Sequence, residues 1–359
     1  MTGQLLDGLG VIDLSLWQPG HTATQLLADL GADVLKVEPP GGDRMRPLPD
    51  RFVNFNGWKR SIALDLKRQE DRAHLSDLVV GTEVVVENYR PGVAERLGVG
   101  FADLRRVNPS IVMCSISGFG QSGPLAGQTG HDANYQAYAG AMTPPAGPDS
   151  VPVPSSLLVA DQGSGLAAAF AILAAVLCAR RTGEGEHIDV SMADLLASWV
   201  APMGAIDPGR QPQPRPDEGG GDQAPAMGVF RTADDDYVVL GVFSEDHLWD
   251  ALCDGLGLTG YVGLTMSQRR RRASELRGQI ERVVAARSRP ELLASLTPRS
   301  IPIAPVLNRE EMLHHAHFRD RGLFTTGPDG HLRLAHPIRY EVHPARSPGP
   351  PPPLPVRVQ

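Results

Sequence analysis

Over the first 200 residues, short apolar runs alternate with longer segments of helical periodicity, and this alternation limits the possible folds more than any other feature. Gly10-Val11-Ile12-Asp13-Leu14 is a continuous apolar run, as expected of a strand buried on both faces. A helix follows over 22–30, stopped by Gly31, and a strand over 34–37 ends before Pro39-Pro40. Strand 61–66, helix 69–80, strand 83–87 and strand 111–117 continue the pattern. Strands joined through helices pair in parallel, because a helical crossover brings the chain back to the same end of the sheet. The expected class is α/β, with a Rossmann-like large domain whose parallel sheet is flanked by helices. Residues 163–181 form the most apolar helix and 192–201 another. The longest apolar stretch, 166–179, is too short to span a bilayer and reads as a buried helix.

The composition changes at Asp207. Residues 207–225 are polar and rich in Pro and Gly, as in a linker or loop. Two strand-like runs, 227–232 and 237–242, flank Ala233-Asp234-Asp235-Asp236 as a hairpin, and helices are expected at about 246–255, 267–287 and 290–296. Residues 226–318 therefore read as a smaller α+β domain, following a large domain that opens at 1–206. Asp329-Gly330 marks a second hairpin, and residues 346–359 are a Pro-rich tail expected to be extended or disordered. The run Arg269 to Arg272 reads as the solvated face of a helix.

Several function classes are disfavoured. A net charge of −7 argues against nucleic acid as a partner. Three cysteines without close spacing argue against a disulfide scaffold or a zinc site, and fit a reducing cytosol. No basic segment followed by an apolar run opens the chain, so a cytoplasmic protein without a membrane partner is expected.

Four places have residue types suited to chemistry. Gly118-Phe119-Gly120-Gln121-Ser122-Gly123 follows a strand and formally matches a dinucleotide fingerprint. Pro124, Gly127 and Gly130 come where the helix would have to open, so a close backbone turn near a ligand is expected instead. Asp161 stands before Gln162-Gly163-Ser164-Gly165 and the apolar helix. It is either an N-cap or a base or nucleophile at the positive end of a helix dipole, with Gly163 and Gly165 leaving room for a ligand. His131 lies beside Asp132 in a glycine-rich loop, a pairing suited to an acid–base imidazole of fixed tautomer. Arg90, after Asn88-Tyr89, follows the carboxyl end of a strand, where open α/β sheets bind ligands; Lys59 and Arg60 open another strand.

Seven segments, in order, resemble the class III CoA-transferase family, which includes α-methylacyl-CoA racemases. They are LLADLGADVLKVEPPGGD, KRSIALDLK, VVENYRPGVAERLGVG, NPSIVMCSISGFGQSGP, GHDANYQAYAG, LLVADQGSG and RRTGEGEHIDVSMAD. The resemblance runs from about residue 6 to 345. It implies an interlocked homodimer, with a small domain inserted in a large one to which residues 319–345 return. It implies an acyl-CoA substrate, with coenzyme A entering as part of that substrate and neither a metal nor a prosthetic group. Asp161 stands at the position of the transferases' nucleophilic aspartate. Gly130-His131-Asp132-Ala133-Asn134-Tyr135 matches the racemase segment whose histidine works with that aspartate. Glu245 is the nearest candidate for the racemases' glutamate. Lys36, Lys59, Arg60, Asn88, Arg90, Gly118, Asp132 and Tyr135 are the expected coenzyme A contacts. The chain departs from the pattern at residues 221–227, at Gly241-Val242-Phe243-Ser244-Glu245, and at Asn56-Gly57-Trp58, where an arginine usually precedes KRS. The favoured activity is inversion of the α-carbon of a 2-methylacyl-CoA by proton removal and return; the alternative is transfer of CoA through an intermediate on Asp161.

Overall fold

In the computed structural model, residues 3–143, 150–203 and 224–355 are described. The chain divides into two units. One comprises Met1–Ala205 and Ala316–Gln359, the other Ile206–His315.

The first unit contains β1 (Gly10–Asp13), α1 (Gln18–Asp29), β2 (Asp33–Glu38), α2 (Pro49–Phe55), β3 (Arg60–Ala63), α3 (Gln69–Val80), β4 (Val84–Glu87), α4 (Val93–Leu97), α5 (Phe101–Val107), β5 (Val112–Ser117), α6 (Asp132–Tyr138), α7 (Val159–Thr182), β6 (His187–Ser191) and α8 (Met192–Val200). The six strands form a parallel sheet in the order β3-β2-β1-β4-β5-β6. Alternate strand residues serve opposite faces. Val11, Val84, Val86, Val112 and Cys114 join one core with Leu27, Ile172 and Val176. Ile12, Val85 and Met113 join another with Leu75, Val79 and Leu104. Helices therefore cover both faces, which is why these strands read as continuous apolar runs.

The apolar helix α7 begins four residues earlier than the sequence suggests and runs for 24 residues. By length and composition alone it is long and apolar enough to cross a membrane. Ala160, Ser164, Ala168, Ile172 and Val176 bury one face. On the other, Leu166 is 56%, Phe170 76% and Leu177 70% exposed. The expectation of a buried helix holds for half of its circumference. The glycines near its start have a packing role instead of making room for a ligand. A Cβ on Gly165 would come within 2.6 Å of Thr22 and 2.7 Å of the Pro19 carbonyl, and one on Gly163 within 2.4 Å of the Trp199 ring.

Lys36 and Lys59, expected to contact coenzyme A, are sealed inside this unit. Lys59 Nζ donates to Asp13 Oδ2 at 3.0 Å, Thr24 Oγ1 at 2.7 Å and Asn56 Oδ1 at 3.0 Å. Lys36 Nζ lies 2.8 Å from Asp43 Oδ2 and 2.7 Å from His21 Nε2. Burial, and then the Lys36 charge, lower the His21 pKa to about 4, so the imidazole stays neutral beside the ammonium. Burial alone would raise the Asp13 carboxyl, yet Lys59 and Lys36 hold it well below the carboxylate range. Charges this deep persist because each is paired, which leaves neither lysine free for a ligand.

The Pro-rich tail is extended and docked through residue 355. Trp58 N–H donates to the Pro350 carbonyl at 3.0 Å and Trp58 Nε1 to the Ser347 carbonyl at 2.6 Å. Arg333 donates to the Gly349 carbonyl at 2.6 Å, and Arg46 to the carbonyls of Pro352 and Pro353. Proline lacks an N–H but keeps its carbonyl, so a Pro-rich strap is held from outside by donors. Gly57 belongs to this arrangement, since a Cβ there would lie 3.1 Å from the Gly349 carbonyl. The hairpin marked by Asp329-Gly330 forms as β10 (Phe324–Thr326) and β11 (Leu332–Leu334), paired antiparallel.

The second unit carries an antiparallel sheet of β7 (Met227–Arg231), β8 (Tyr237–Gly241) and β9 (Ile303–Pro305), with helices α9 (Asp246–Leu256), α10 (Met266–Arg271), α11 (Ala273–Val284) and α12 (Arg289–Leu296). The expected helix over 267–287 is broken at Arg272. The arginine run is not wholly solvated. Arg269 is buried, donates to Asp246 at 2.6 Å and lies over the Trp249 ring. Most of the expected linker, residues 207–223, lies outside the described residues.

Truncation after Ala345 is expected to lower the melting temperature by several degrees, since about 1 kcal/mol shifts a domain of this size by roughly 2–4 °C. Thermal unfolding of the truncated chain checks this; an unchanged transition would mean that the strap contributes nothing.

Candidate active site

The sheet order reverses direction between β1 and β4, and an open α/β sheet has a crevice outside the carboxyl ends of the strands at such a switch point. A cavity of about 640 Å³ opens there. Trp17, Gln18 and Pro19 follow β1, Asn88 to Pro91 follow β4, and Ile116 to Gly118 close β5. Met45 and Arg51 add a side wall, and His131, Asn134, Tyr135 and Asp161 come from the starts of α6 and α7. The volume is that of an ordinary small-molecule site.

His131 occupies the N-cap position of α6, and its N–H donates to Asn134 Oδ1 at 2.9 Å. The imidazole is exposed; it faces the Asn134 N–H within the α6 capping box and has no hydrogen-bonding partner from any other element among the described residues. Asp132 does not fix its tautomer, contrary to expectation. The Asp132 carboxylate is buried and turned to α7, where Oδ2 accepts from Ala160 N–H at 2.8 Å and Asp161 N–H at 3.0 Å. Its Oδ1 accepts from Gln136 Nε2 at 2.5 Å, and Gln136 Oε1 in turn accepts from Ser155 N–H at 2.8 Å. Asp132 is therefore a structural cap and does not line the cavity.

This cap determines what Asp161 can do. Asp161 is the third residue of α7, so it is not the N-cap. Its carboxylate makes no hydrogen bond among the described residues. Burial, and then the Asp132 charge, raise its pKa to about 6. A carboxyl group in a cavity with a pKa near neutrality and no structural duty is suited to proton transfer or nucleophilic attack. The helix start offers no spare donors. Val159 N–H is bonded to the Leu157 carbonyl, Gln162 N–H to the Leu158 carbonyl, and the two between them to Asp132. An oxyanion formed here must be met by other groups.

Tyr135 and Gly118 fit together. The phenol donates to the Gly130 carbonyl at 2.6 Å, and a Cβ on Gly118 would lie 2.4 Å from the tyrosine ring. Gly120 and Gly123 adopt φ of 81° and 94°, consistent with the expected glycine turn. Asn88 clamps the β1 loop, with Oδ1 accepting from Leu16 N–H at 2.7 Å and Nδ2 donating to the Leu16 carbonyl. The guanidinium groups of Arg90 and Arg51 have no partner among the described residues. Arg60 is outside the cavity, on edge strand β3, where it pairs with Asp33 at 2.8 Å. Glu245 belongs to the second unit; it is the exposed N-cap of α9, and its Oε2 accepts from Phe243 N–H at 3.2 Å.

The structure thus brings together Asn88, Arg90, Gly118, His131, Tyr135 and Asp161 of the residues expected from sequence. It leaves out Lys36, Lys59, Arg60 and Asp132. Sequence reasoning missed Trp17, Arg51 and Gln136. Arg51 resembled any helical surface arginine, and no local pattern tied it to the site.

The raised Asp161 pKa has a consequence for stability. Below about pH 3.8 the carboxyl is protonated in folded and unfolded chains alike. Between 3.8 and about 6 the folded chain retains a proton that the unfolded chain has lost, so stability falls as pH rises through that window. Asp161→Asn is expected to melt higher than the parent at about pH 7, the difference closing as pH falls towards 4. Melting curves across that range check this; an Asn variant no more stable than the parent at neutral pH would sink it.

The sequence matches the family described as CoA-transferase family III over residues 6–355. It is similar to the succinate–glutarate CoA-transferase of Agrobacterium fabrum, at 33% identity covering 89% of this chain and 84% of that protein. It is similar to human alpha-methylacyl-CoA racemase at 32% identity, covering 90% and 83%. The crystal structure of a CaiB/BaiF family protein from Brucella suis superposes with a TM-score of 0.86 at 29% identity, covering 98% of this chain and 97% of that one. With a switch-point cavity holding an unpaired aspartate at the start of an apolar helix, and a family match along almost its whole length, the chain belongs to CoA-transferase family III, a family of enzymes acting on coenzyme A thioesters.

Proposed function

We propose that this enzyme inverts the α-carbon of a 2-methylacyl-CoA, with His131 and Asp161 as its two acid–base groups. The observation that carries this reading is that an exposed imidazole with no side-chain partner and an unpartnered carboxyl, the latter with a pKa near 6, line one cavity. A thioester acidifies its α-C–H because the resulting enolate spreads charge onto the carbonyl oxygen. One group removes the proton and the other delivers one to the opposite face, so the carbon inverts and the enzyme's proton count is unchanged. Reversible transfer works best when donor and acceptor pKa values are close, and burial moves Asp161 towards the imidazole range. Arg51 and Arg90 are suited to the anionic end of coenzyme A. Asn134, whose Oδ1 is taken by His131 N–H, still has its amide donors to offer an enolate oxygen. The enzyme is read as cytoplasmic, using coenzyme A only as part of its substrate.

The second reading is transfer of CoA between an acyl-CoA and a carboxylic acid, with Asp161 as nucleophile. It is favoured by the names of relatives, which include an acetyl-CoA:oxalate CoA-transferase of Acetobacter aceti, 34% identical over 85% of this chain and 81% of that protein. The two readings diverge in deuterium oxide. The first expects α-deuteration of a chiral 2-methylacyl-CoA without an acceptor acid, and no aspartyl adduct trapped by hydroxylamine. His131→Ala is then expected to lose about 10²–10⁴-fold in exchange rate, with thioester binding retained. A loss below about threefold would remove His131 from the chemistry, and an adduct on Asp161 would favour transfer.

We also propose that the chain works as an interlocked homodimer. The exposed stripe of Leu166, Phe170 and Leu177 on α7 supports it, because a contiguous apolar face of that kind is usually covered by protein. Light scattering is expected to give twice the chain mass at micromolar concentration; a stable monomer would overturn the assignment.

A further inference from the structure

Trp17 has a backbone conformation that its side chain disfavours. Its φ is 70° and its ψ −177°, a region occupied almost only by glycine. The chain is held there from both sides. Asn88 grips both polar groups of the Leu16 backbone, and Gln18 is already the first residue of α1. Glycine would satisfy this turn without strain. The sequence instead places the largest side chain, 47% exposed, on the wall of the cavity that holds Asp161. Packing within the chain does not account for it, because an indole buried for stability would not leave half its surface in solvent.

The position of Trp17 along the chain indicates which part of a ligand it meets. Two residues later, the Pro19 carbonyl lies against α7 at Gly165, one helical turn from Asp161. Trp17 and Asp161 line one cavity, and a thioester carbonyl must sit within reach of Asp161 for that group to act on it. That carbonyl bears the acyl chain on one side and the sulfur of the polar, phosphate-ended CoA arm on the other, and of the two an exposed indole suits the apolar acyl chain.

We propose that Trp17 is a specificity-determining residue whose indole forms the apolar wall for the acyl group of a CoA thioester. The proposal rests on the acyl-CoA reading of the site and adds a preference for acyl groups large enough to reach the ring. Strain retained at a ligand wall is a recurrent trade of stability for function.

The test compares Trp17→Phe, Trp17→Ala and Trp17→Gly with the parent, measuring dissociation constants for free CoA, acetyl-CoA and hexanoyl-CoA by calorimetry. Trp17→Ala is expected to bind hexanoyl-CoA about tenfold more weakly, a usual scale for losing a large aromatic contact, while free CoA changes by less than about twofold. Trp17→Phe should retain most of the hexanoyl-CoA affinity. Trp17→Gly should melt roughly 2–4 °C above Trp17→Ala, because both lack the indole and only glycine relieves the backbone. Equal weakening for free CoA and hexanoyl-CoA would overturn the acyl assignment, and so would no change for any ligand. If the parent binds neither CoA nor its thioesters, the acyl-CoA reading itself fails.

Discussion

The candidate site depends on one carboxylate that takes no part in lining it. Asp132 reaches from the first turn of α6 to the first turn of α7 and accepts the N–H groups of Ala160 and Asp161. A cap of this kind contributes about 0.5–2 kcal/mol to a helix, which is modest. Its larger effect is on position. His131 immediately precedes Asp132 in the chain, and Asp161 is one of the two residues whose N–H it holds. The same contact therefore brings the imidazole and the free carboxyl to one cavity wall. It also acts electrically, since a second negative charge close by helps to keep the Asp161 proton on. Removing Asp132 would disturb geometry and acidity together.

The sheet supplies the other half of the arrangement. Reversal of strand order between β1 and β4 sends the chain away on both sides of a crevice, so the loops after β1, β4 and β5 converge without any of them needing to be long. The groups that line the cavity come from these loops and from helix starts. The buried lysines, by contrast, belong to the scaffold beneath. Lys59 ties the end of β1 to α1 through Asp13 and Thr24, and Lys36 ties β2 to the loop bearing Asp43. Their charges are used up in holding together the elements that bear the cavity.

Much of this was legible in the sequence, and the reasons it was or was not are physical. Apolar runs at 10–14, 83–87 and 111–117 announce parallel strands because both faces of each are covered. The strand-end rule led to Arg90 without knowledge of the fold, and the resemblance added Asn88. Lys36 and Lys59 misled because a lysine in a strand pattern carries no mark of whether its partner is a phosphate or an interior carboxylate. Gly163 and Gly165 misled because a glycine made necessary by a neighbouring helix resembles one made necessary by a ligand. Asp161 resembled an N-cap because the residue that caps α7 lies 29 positions earlier, and local patterns cannot register a cap supplied from another helix. Trp17 escaped notice because backbone strain has no compositional signature.

These errors share a cause that bears on function. Each structural task near the cavity is performed by a residue from elsewhere in the chain: Asp132 caps α7, Asn88 holds the β1 loop, and Tyr135 covers Gly118. Asp161, His131, Arg51 and Arg90 are consequently left without side-chain partners among the described residues. Unpaired groups lower stability when they are desolvated, and burial raises the Asp161 pKa for the same reason. A scaffold that satisfies its interior charges as completely as the Asp13, Lys59, Lys36 and Asp43 cluster has the means to do the same here. That it leaves four ionisable groups uncommitted around one crevice is the strongest physical ground for placing the chemistry there, independent of any likeness to other proteins.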